Sequence, residues 1–356
     1  MKVCIIGNGL ISLTLAQALV NRGVSVDISC SNRLTNYDQT RTLGISDSNI
    51  KYINEHIVNI EKIQWKIKKI KVYTENCSKD EVLNFSKSGK ILFSIIKNKQ
   101  LYTKLNKKLK KNSLFNYKKN LNYKNIITKD YQLIINCDFK HEITKKFFFK
   151  NLKKDYNSKA YTTIINHKKI IDNNTAIQVF TKKGPIAFLP ISKDKTSVVC
   201  SFRTDDNKIH INEIIKKFNP KYKISKINKI SSFKLKSSNL RKYYKDNILA
   251  FGDLLHTVHP LAGQGFNMTL RDIKELITII DEKINLGLDL DNSICVDFEN
   301  KMKDKNFIFS KSIDWIYELF NLERKFKNNL FSKSAKLINK NRFLNNYITM
   351  FADIGI

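Results

Sequence analysis

The sequence is poor in features that mark several large protein classes. No apolar run approaches the roughly 20 residues of a membrane span. Strand-like patterning already begins at Lys2, so no signal peptide is expected ahead of it. None of the six cysteines (Cys4, Cys30, Cys77, Cys137, Cys200 and Cys295) forms a Cys-x-x-Cys pair, so a zinc site is not expected. Several sit in apolar strand patterns, where cysteine behaves as a small hydrophobe. All six read as reduced thiols of a cytosolic protein. Arginine is scarce. Only Arg22, Arg33, Arg41, Arg203, Arg241, Arg271, Arg324 and Arg342 stand beside the lysines that carry most of a formal charge of +32. Arginine is the side chain suited to bidentate recognition of phosphates and bases, and the lysines are spread along the chain among asparagine and isoleucine. Nucleic acid is therefore not an expected partner. The basic surface would still be drawn to anionic lipid headgroups, at about 1 kcal/mol per lysine near the membrane. There is no internal repeat.

What is present is a globular composition, 42% apolar over 356 residues, long enough to bury one large or two moderate cores. Two segments carry the chemistry. The first opens the chain. Residues 2–6 read as a buried strand, followed by Gly7-Asn8-Gly9-Leu10-Ile11-Ser12, a helix over 13–21 and a second strand over 24–29. This is a βαβ dinucleotide fingerprint in its required context. Gly7 allows the tight turn, and Gly9 lets a pyrophosphate approach the amides of the helix N-terminus. The second segment is Gly252-Asp253-Leu254-Leu255-His256-Thr257-Val258-His259-Pro260-Leu261-Ala262-Gly263-Gln264-Gly265-Phe266-Asn267, after an apolar run over 247–251 and before helical spacing over 268–280. A strand that ends in Gly-Asp places a carboxylate at a sheet's carboxyl edge, where α/β proteins bind ligands. Pro260 and the glycines then bring bare backbone up to a flat ligand and open a helix.

Together these segments resemble the flavin-dependent aromatic hydroxylases, and most closely the ubiquinone-biosynthesis hydroxylase family. Further stretches support the resemblance: residues 38–46 around Arg41, residues 95–101 with Lys97 where the family has Glu, the Ala176 to Pro190 block with Gly184-Pro185, and, loosely, residues 350–355. The resemblance implies an α/β fold, a Rossmann-like FAD-binding domain with an inserted, mostly antiparallel β-sheet substrate domain and C-terminal helices. The expected FAD-binding parts are 1–60, 96–150 and 243–290, the substrate domain 61–95 and 151–242, and the C-terminal helical region 291–356. Strands are expected over 63–73, 161–165, 175–180, 186–190 and 197–202, with a hairpin near Lys87-Ser88-Gly89-Lys90. The lysine- and asparagine-rich run 103–125 reads as a solvated face or loop.

The resemblance also implies FAD as cofactor and NAD(P)H as reductant, with dioxygen used to hydroxylate an electron-rich ring. The implied substrate is a polyprenylated phenol. Implied surroundings are the cytoplasm, a peripheral contact with the inner membrane and other ubiquinone-biosynthesis proteins. For FAD the expected contacts are Gly7, Gly9, Leu10, Ile11, Arg41, Asp138, Gly252, Asp253, Gly263, Gln264, Gly265, Phe266 and Asn267. Asp253 would take a hydrogen bond from a ribityl hydroxyl. His259 and Pro260 would lie beside the flavin ring, facing substrate, as the catalytic pair, whereas His256 reads as a packing residue. Three departures stand out. Ser12 replaces the third fingerprint glycine. The second strand ends in Ile28-Ser29-Cys30-Ser31 without a carboxylate for the adenosine ribose, which leaves Ser29 or Ser31 for a weaker contact. An Asp-Gly motif reads Asp138-Phe139, which touches the nicotinamide interaction most. Two alternatives remain open: another FAD oxidoreductase of this fold, such as an isoprenoid reductase, and a non-catalytic flavoprotein scaffold of a quinone-biosynthesis complex.

Overall fold

The computed structural model describes residues 1–30, 40–75, 83–86, 90–119, 121–129, 131–203, 210–260 and 263–326, without the side chains of residues 83, 316 and 319–326. The closing segment 350–355, the tip 87–89 of the expected hairpin, and Cys77, Ser31, Leu261 and Ala262 lie outside them. The mixed α/β architecture is the one expected.

One sheet has six strands, in the order Tyr244–Lys245, Ile248–Ala250, Leu133–Asn136, Lys2–Ile6, Ser25–Cys30, Phe115–Lys119. All neighbours are parallel except the first pair. A parallel sheet is covered on both faces, and its strands read as continuous apolar runs. Val3, Ile5, Leu133, Ile135 and Leu249 are accordingly fully buried. The helix Leu10–Val20 is buried along nearly its whole length, between this sheet and the helix Asn98–Leu109. The outer strand Phe115–Lys119 falls in the run read as loop. It is an edge strand whose inward residues are only Phe115 and Tyr117, so lysines hide its alternation.

A second sheet has nine strands and is antiparallel except where Thr175–Thr181 runs parallel to Lys69–Thr74. Its centre is Asn151–His167, with Ser231–Leu240 on one side and Lys195–Arg203 on the other. Ile165, Ile186, Phe188, Val198 and Cys200 pack beneath the short helix Ile211–Lys217. The alternate residues of these strands face the opposite way. On that inner face Thr162 meets Thr40, and Ser197 meets Thr42, each at 3.0 Å between hydroxyl oxygens. A third sheet joins Thr42–Ser46, Phe93–Lys97 and Gln64–Ile67. The expected single strand over 63–73 is therefore two strands in different sheets. The break lies at Lys68, whose amide turns aside to the Asn174 carbonyl.

The chain then forms two long helices, Gln264–Asn285 and Ser293–Phe326. No helix among the described residues is long and apolar enough to cross a membrane.

Candidate FAD site

Three neighbouring parallel strands deliver the first residues of the site. Ile6 and Ala250 both pair with Asn136, so the three strands end level. Gly7, Asp138 and Gly252-Asp253 follow directly, all at one carboxyl edge. The two distant fingerprints are thereby in contact. A Cβ on Gly252, whose φ is +67°, would lie 2.9 Å from Ile11 Cγ2, so only glycine lets the second segment close on the first helix. Ile11 is thus a packing residue through its side chain, and Leu10 is buried beside it. Their amides belong to the first helical turn, which has no carbonyl partner inside the helix. Ser12 is 1% exposed, and its Oγ lies 3.5 Å from where a Cβ on Gly7 would be, so a small residue does replace the third glycine.

Gly9 differs from Gly252. Its backbone, φ −69° and ψ 175°, suits any residue, and a Cβ there would meet nothing within 4 Å. It caps the helix Leu10–Val20, which has no capping side chain and no acid in its first turn. Among the described residues, open space faces this helix N-terminus beside Gly9. Such a terminus favours phosphate.

Asp253 is exposed, yet protein surrounds it, so it looks into a recess rather than into bulk water. Burial holds its carboxyl above the ordinary carboxylate range, while His256 and Arg41 pull the other way. The guanidinium of Arg41 lies 4.7 Å above the ring of Phe233 on the inner face of the large sheet. Arg41 therefore spans the gap between that sheet and the Asp253 edge. Asp138 is half-buried, with Oδ1 accepting the Lys140 amide at 2.8 Å and its carbonyl accepting the Thr144 hydroxyl at 2.6 Å.

The loop entering the last part of the site turns on the Gly263 amide, which donates to the Pro260 carbonyl at 3.2 Å. Gly263 caps the helix Gln264–Asn285, again without a capping side chain or first-turn acid. It lies against Gly44 of the strand Thr42–Ser46. Gln264, Gly265 and Phe266 form the first turn, with Phe266 half-buried against the main core.

Two expectations need correction. Asn267 is not free to hold a ligand by its side chain. Its Nδ2 donates to the Gly44 carbonyl at 2.8 Å, and its Oδ1 accepts from Ser46 N and Asn49 Nδ2, each at 3.0 Å. It braces the helix against the strand that carries Gly44. His259 does not face the recess. It is 1% exposed, packed against Tyr156 and Tyr317, with neither ring nitrogen hydrogen-bonded among the described residues. Burial, helped by Lys154, pushes its pKa down to about 4, so the ring is neutral at pH 7. Pro260, next to it, is half-buried. Ser29 is also committed, since its Oγ accepts the Leu121 amide at 3.3 Å. His256 is a packing residue as expected, hydrogen-bonded to the buried Asp272 at 2.5 Å.

The sequence did not point to Phe233, Tyr156, Tyr317 or Asp314. Each acts through a partner far along the chain, and no local pattern marks such pairs.

Open space at one helix N-terminus, a carboxylate on the same sheet edge and a second helix N-terminus without a capping side chain fit FAD. The roofing antiparallel sheet completes the class, that of the FAD-dependent monooxygenase fold. Residues 142–286 match the family model described as FAD binding domain. The chain is 32% identical over 123 residues to the ubiquinone biosynthesis monooxygenase COQ6, mitochondrial, of Dictyostelium discoideum, covering 34% of this chain and 25% of that protein. It is 28% identical over 152 residues to the 3-demethoxyubiquinol 3-hydroxylase of Escherichia coli (strain K12), covering 40% and 39%. The matches thus span a quarter to two fifths of these relatives' lengths. Among solved structures, Klebsiella pneumoniae HpxO complexed with FAD and uric acid superposes with a TM-score of 0.77 at 11% identity, covering 99% of this chain and 97% of that one. The resemblance to ubiquinone-biosynthesis hydroxylases is borne out.

Proposed function

We propose that this chain is an FAD-dependent monooxygenase that hydroxylates the aromatic ring of a polyprenylated ubiquinone precursor with NAD(P)H and dioxygen. The observation that carries the reading is the shared sheet edge. Gly9 leaves room for a phosphate and Asp253 offers a carboxylate after two strands that flank Leu133–Asn136, although the two lie far apart in sequence. Asp253 accepts a ribityl hydroxyl, and the amides after Gly9 hold the pyrophosphate. The helix N-terminus at Gly263, Gln264 and Gly265 faces the pyrimidine edge of the flavin and stabilises the negative charge that reduction places there, by about 0.3–1 kcal/mol or more when partly buried. Arg41 closes the gap toward the large sheet, and Asp138 and Pro260 border the recess. Bound FAD supplies the redox and oxygen chemistry.

The inner face of the large sheet supplies the substrate wall. Thr162, Ile164, Ala187, Leu189, Val199 and Phe233 alternate with residues packed on the opposite side, and none carries a charge. An uncharged, mostly apolar wall suits a phenol with a hydrocarbon tail and keeps water from the ring. A lipid substrate calls for a contact with the bilayer. We place it on the helix Ser293–Phe326, where Phe307, Ile308 and Trp315 are 41%, 53% and 70% exposed beside the exposed Lys305 and Lys311.

The test is direct. Purified protein is expected to be yellow or to take up FAD, and to oxidise NAD(P)H in a phenol-dependent way that yields hydroxylated product. Protein that stays colourless at saturating FAD would remove the flavin reading. FAD that binds but is never reduced would favour the scaffold.

A further inference from the structure

The segment that runs into Pro260 is held from behind, chiefly by the helix Ser293–Phe326. Three successive contacts fix the residues that lead into it. His256 is hydrogen-bonded to Asp272, whose other carboxylate oxygen accepts Asn306 Nδ2 at 2.9 Å. Val258 packs into Met268, Phe309 and Ile313. The ring of His259 packs against Tyr156, 4.9 Å away at 86°, and Tyr317, 4.3 Å away at 32°, and the two tyrosine rings also touch, 5.1 Å apart. Both tyrosines are themselves anchored. Tyr156 donates its hydroxyl to Asp314, and the Tyr317 hydroxyl lies 3.3 Å from Ser158 Oγ. Asn306, Phe309, Ile313 and Tyr317 recur at three- and four-residue intervals, so they form one face of the helix Ser293–Phe326.

The imidazole contributes shape, not hydrogen bonds. It is 1% exposed, and both nitrogens are buried without partners. A neutral imidazole still carries one N–H. Among the described residues that group has no hydrogen-bond acceptor, and an aromatic ring is only a weak one. A ring so enclosed cannot touch a ligand in the recess. It does fix the chain immediately before Pro260, and through it the Gly263 turn.

We propose that His259 is a positioning residue, and that the helix Ser293–Phe326 sets, through Tyr317, where Pro260 and the Gly263 turn meet the flavin. This rests on the FAD reading above, and the test separates the two.

Four variants of the full chain decide it: Tyr317→Ala, Tyr317→Phe, His259→Ala and His259→Phe. The readouts are FAD affinity by flavin fluorescence, amide hydrogen exchange over residues 256–265 in FAD-free protein, and the pH profile of turnover. The alanine variants are expected to weaken FAD binding about tenfold, equivalent to about 1.4 kcal/mol, and to speed exchange in that segment. Both phenylalanine variants keep a ring in place, so they should stay within about twofold of the parent in affinity, well under the 1.4 kcal/mol of a tenfold change. Phenylalanine variants that behave like the alanine ones would overturn the proposal. So would a His259→Phe protein with parental affinity but an altered pH profile, since the imidazole would then carry a proton. If the alanine variants do not fold, the phenylalanine pair alone decides. If the parent itself takes up no FAD, the functional reading falls, and the exchange data still test the clamp.

Discussion

Replacing Gly9 by alanine separates the fold from the ligand. Two opposing effects act on the FAD-free protein. At φ −69° and ψ 175° alanine is unstrained, and restricting the unfolded chain stabilises by about 0.4–1 kcal/mol. Alanine is a poorer N-cap than glycine, a loss of about 0.5–1 kcal/mol. The added Cβ meets nothing within 4 Å, so there is no clash to add. The net change in stability is then within about 0.5 kcal/mol of zero. With FAD the outcome is different. The methyl group occupies the space from which a phosphate reaches the amides after Gly9. Losing one charge-assisted hydrogen bond there removes about 1.5–3 kcal/mol, a drop in affinity of roughly ten- to a hundredfold. Gly252→Ala is the contrasting control. Its φ of +67° and the 2.9 Å approach to Ile11 impose about 1–2 kcal/mol of backbone strain plus a steric term, so the FAD-free fold itself should weaken. Thermal melts without FAD and fluorescence titrations with it measure both quantities on each variant. A Gly9→Ala protein that binds FAD as tightly as its parent would refute the reasoning, because the open space at the helix terminus would then not be where the pyrophosphate lies.

Asp253→Asn should move stability and binding in opposite directions. Its carboxyl is held above the ordinary range by burial, so ionisation at pH 7 costs the folded state. The amide should therefore melt higher without FAD but bind FAD more weakly, and a parallel loss of both would contradict the assignment. His259 gives an acid-stability signature. Its pKa is about 4 when folded against 6.5 ordinarily, so between those values the unfolded chain takes a proton that the folded one refuses, and stability falls as the pH drops through that window. The loss at pH 5 relative to pH 7.5 is about 2 kcal/mol, and His259→Phe should remove it in urea unfolding; equal slopes for parent and variant would count against the burial. Trp315 reports on the membrane contact. In a Trp65→Phe background it is the remaining tryptophan, and its emission should shift to the blue with anionic but not with neutral vesicles.

The parts of the site that were legible in the sequence are those made by backbone. A strand that ends in Gly-x-Gly or Gly-Asp and feeds a helix constrains its own geometry within a dozen residues, so the sheet edge with Gly7, Gly9, Gly252 and Asp253 could be read from local spacing. The packed apolar strands were legible for the same reason, and Phe115–Lys119 was not, because an edge strand needs only two inward residues. Side-chain roles at the loop were another matter. His256 and His259 stand three residues apart in one motif, and proximity to Pro260 made His259 look like the one that faces the flavin. What decides is the partner. His256 meets Asp272 on the next helix, within the same segment, and the spacing leaves that pair partly readable. His259 meets Tyr156 and Tyr317, about a hundred residues before it and more than fifty after it, and nothing local announces either ring. Asn267 misleads in the same way. Its place in the first helical turn suggests a ligand contact, yet its side-chain amide bonds mostly to Gly44, Ser46 and Asn49, more than two hundred residues earlier. Where the main chain itself makes the geometry, as at Gly7 and Gly252, local spacing reveals it. Where a side chain must choose between ligand and protein, the choice belongs to the tertiary neighbours, and here the two elements that wrap the loop from behind, the strand Asn151–His167 and the helix Ser293–Phe326, make it.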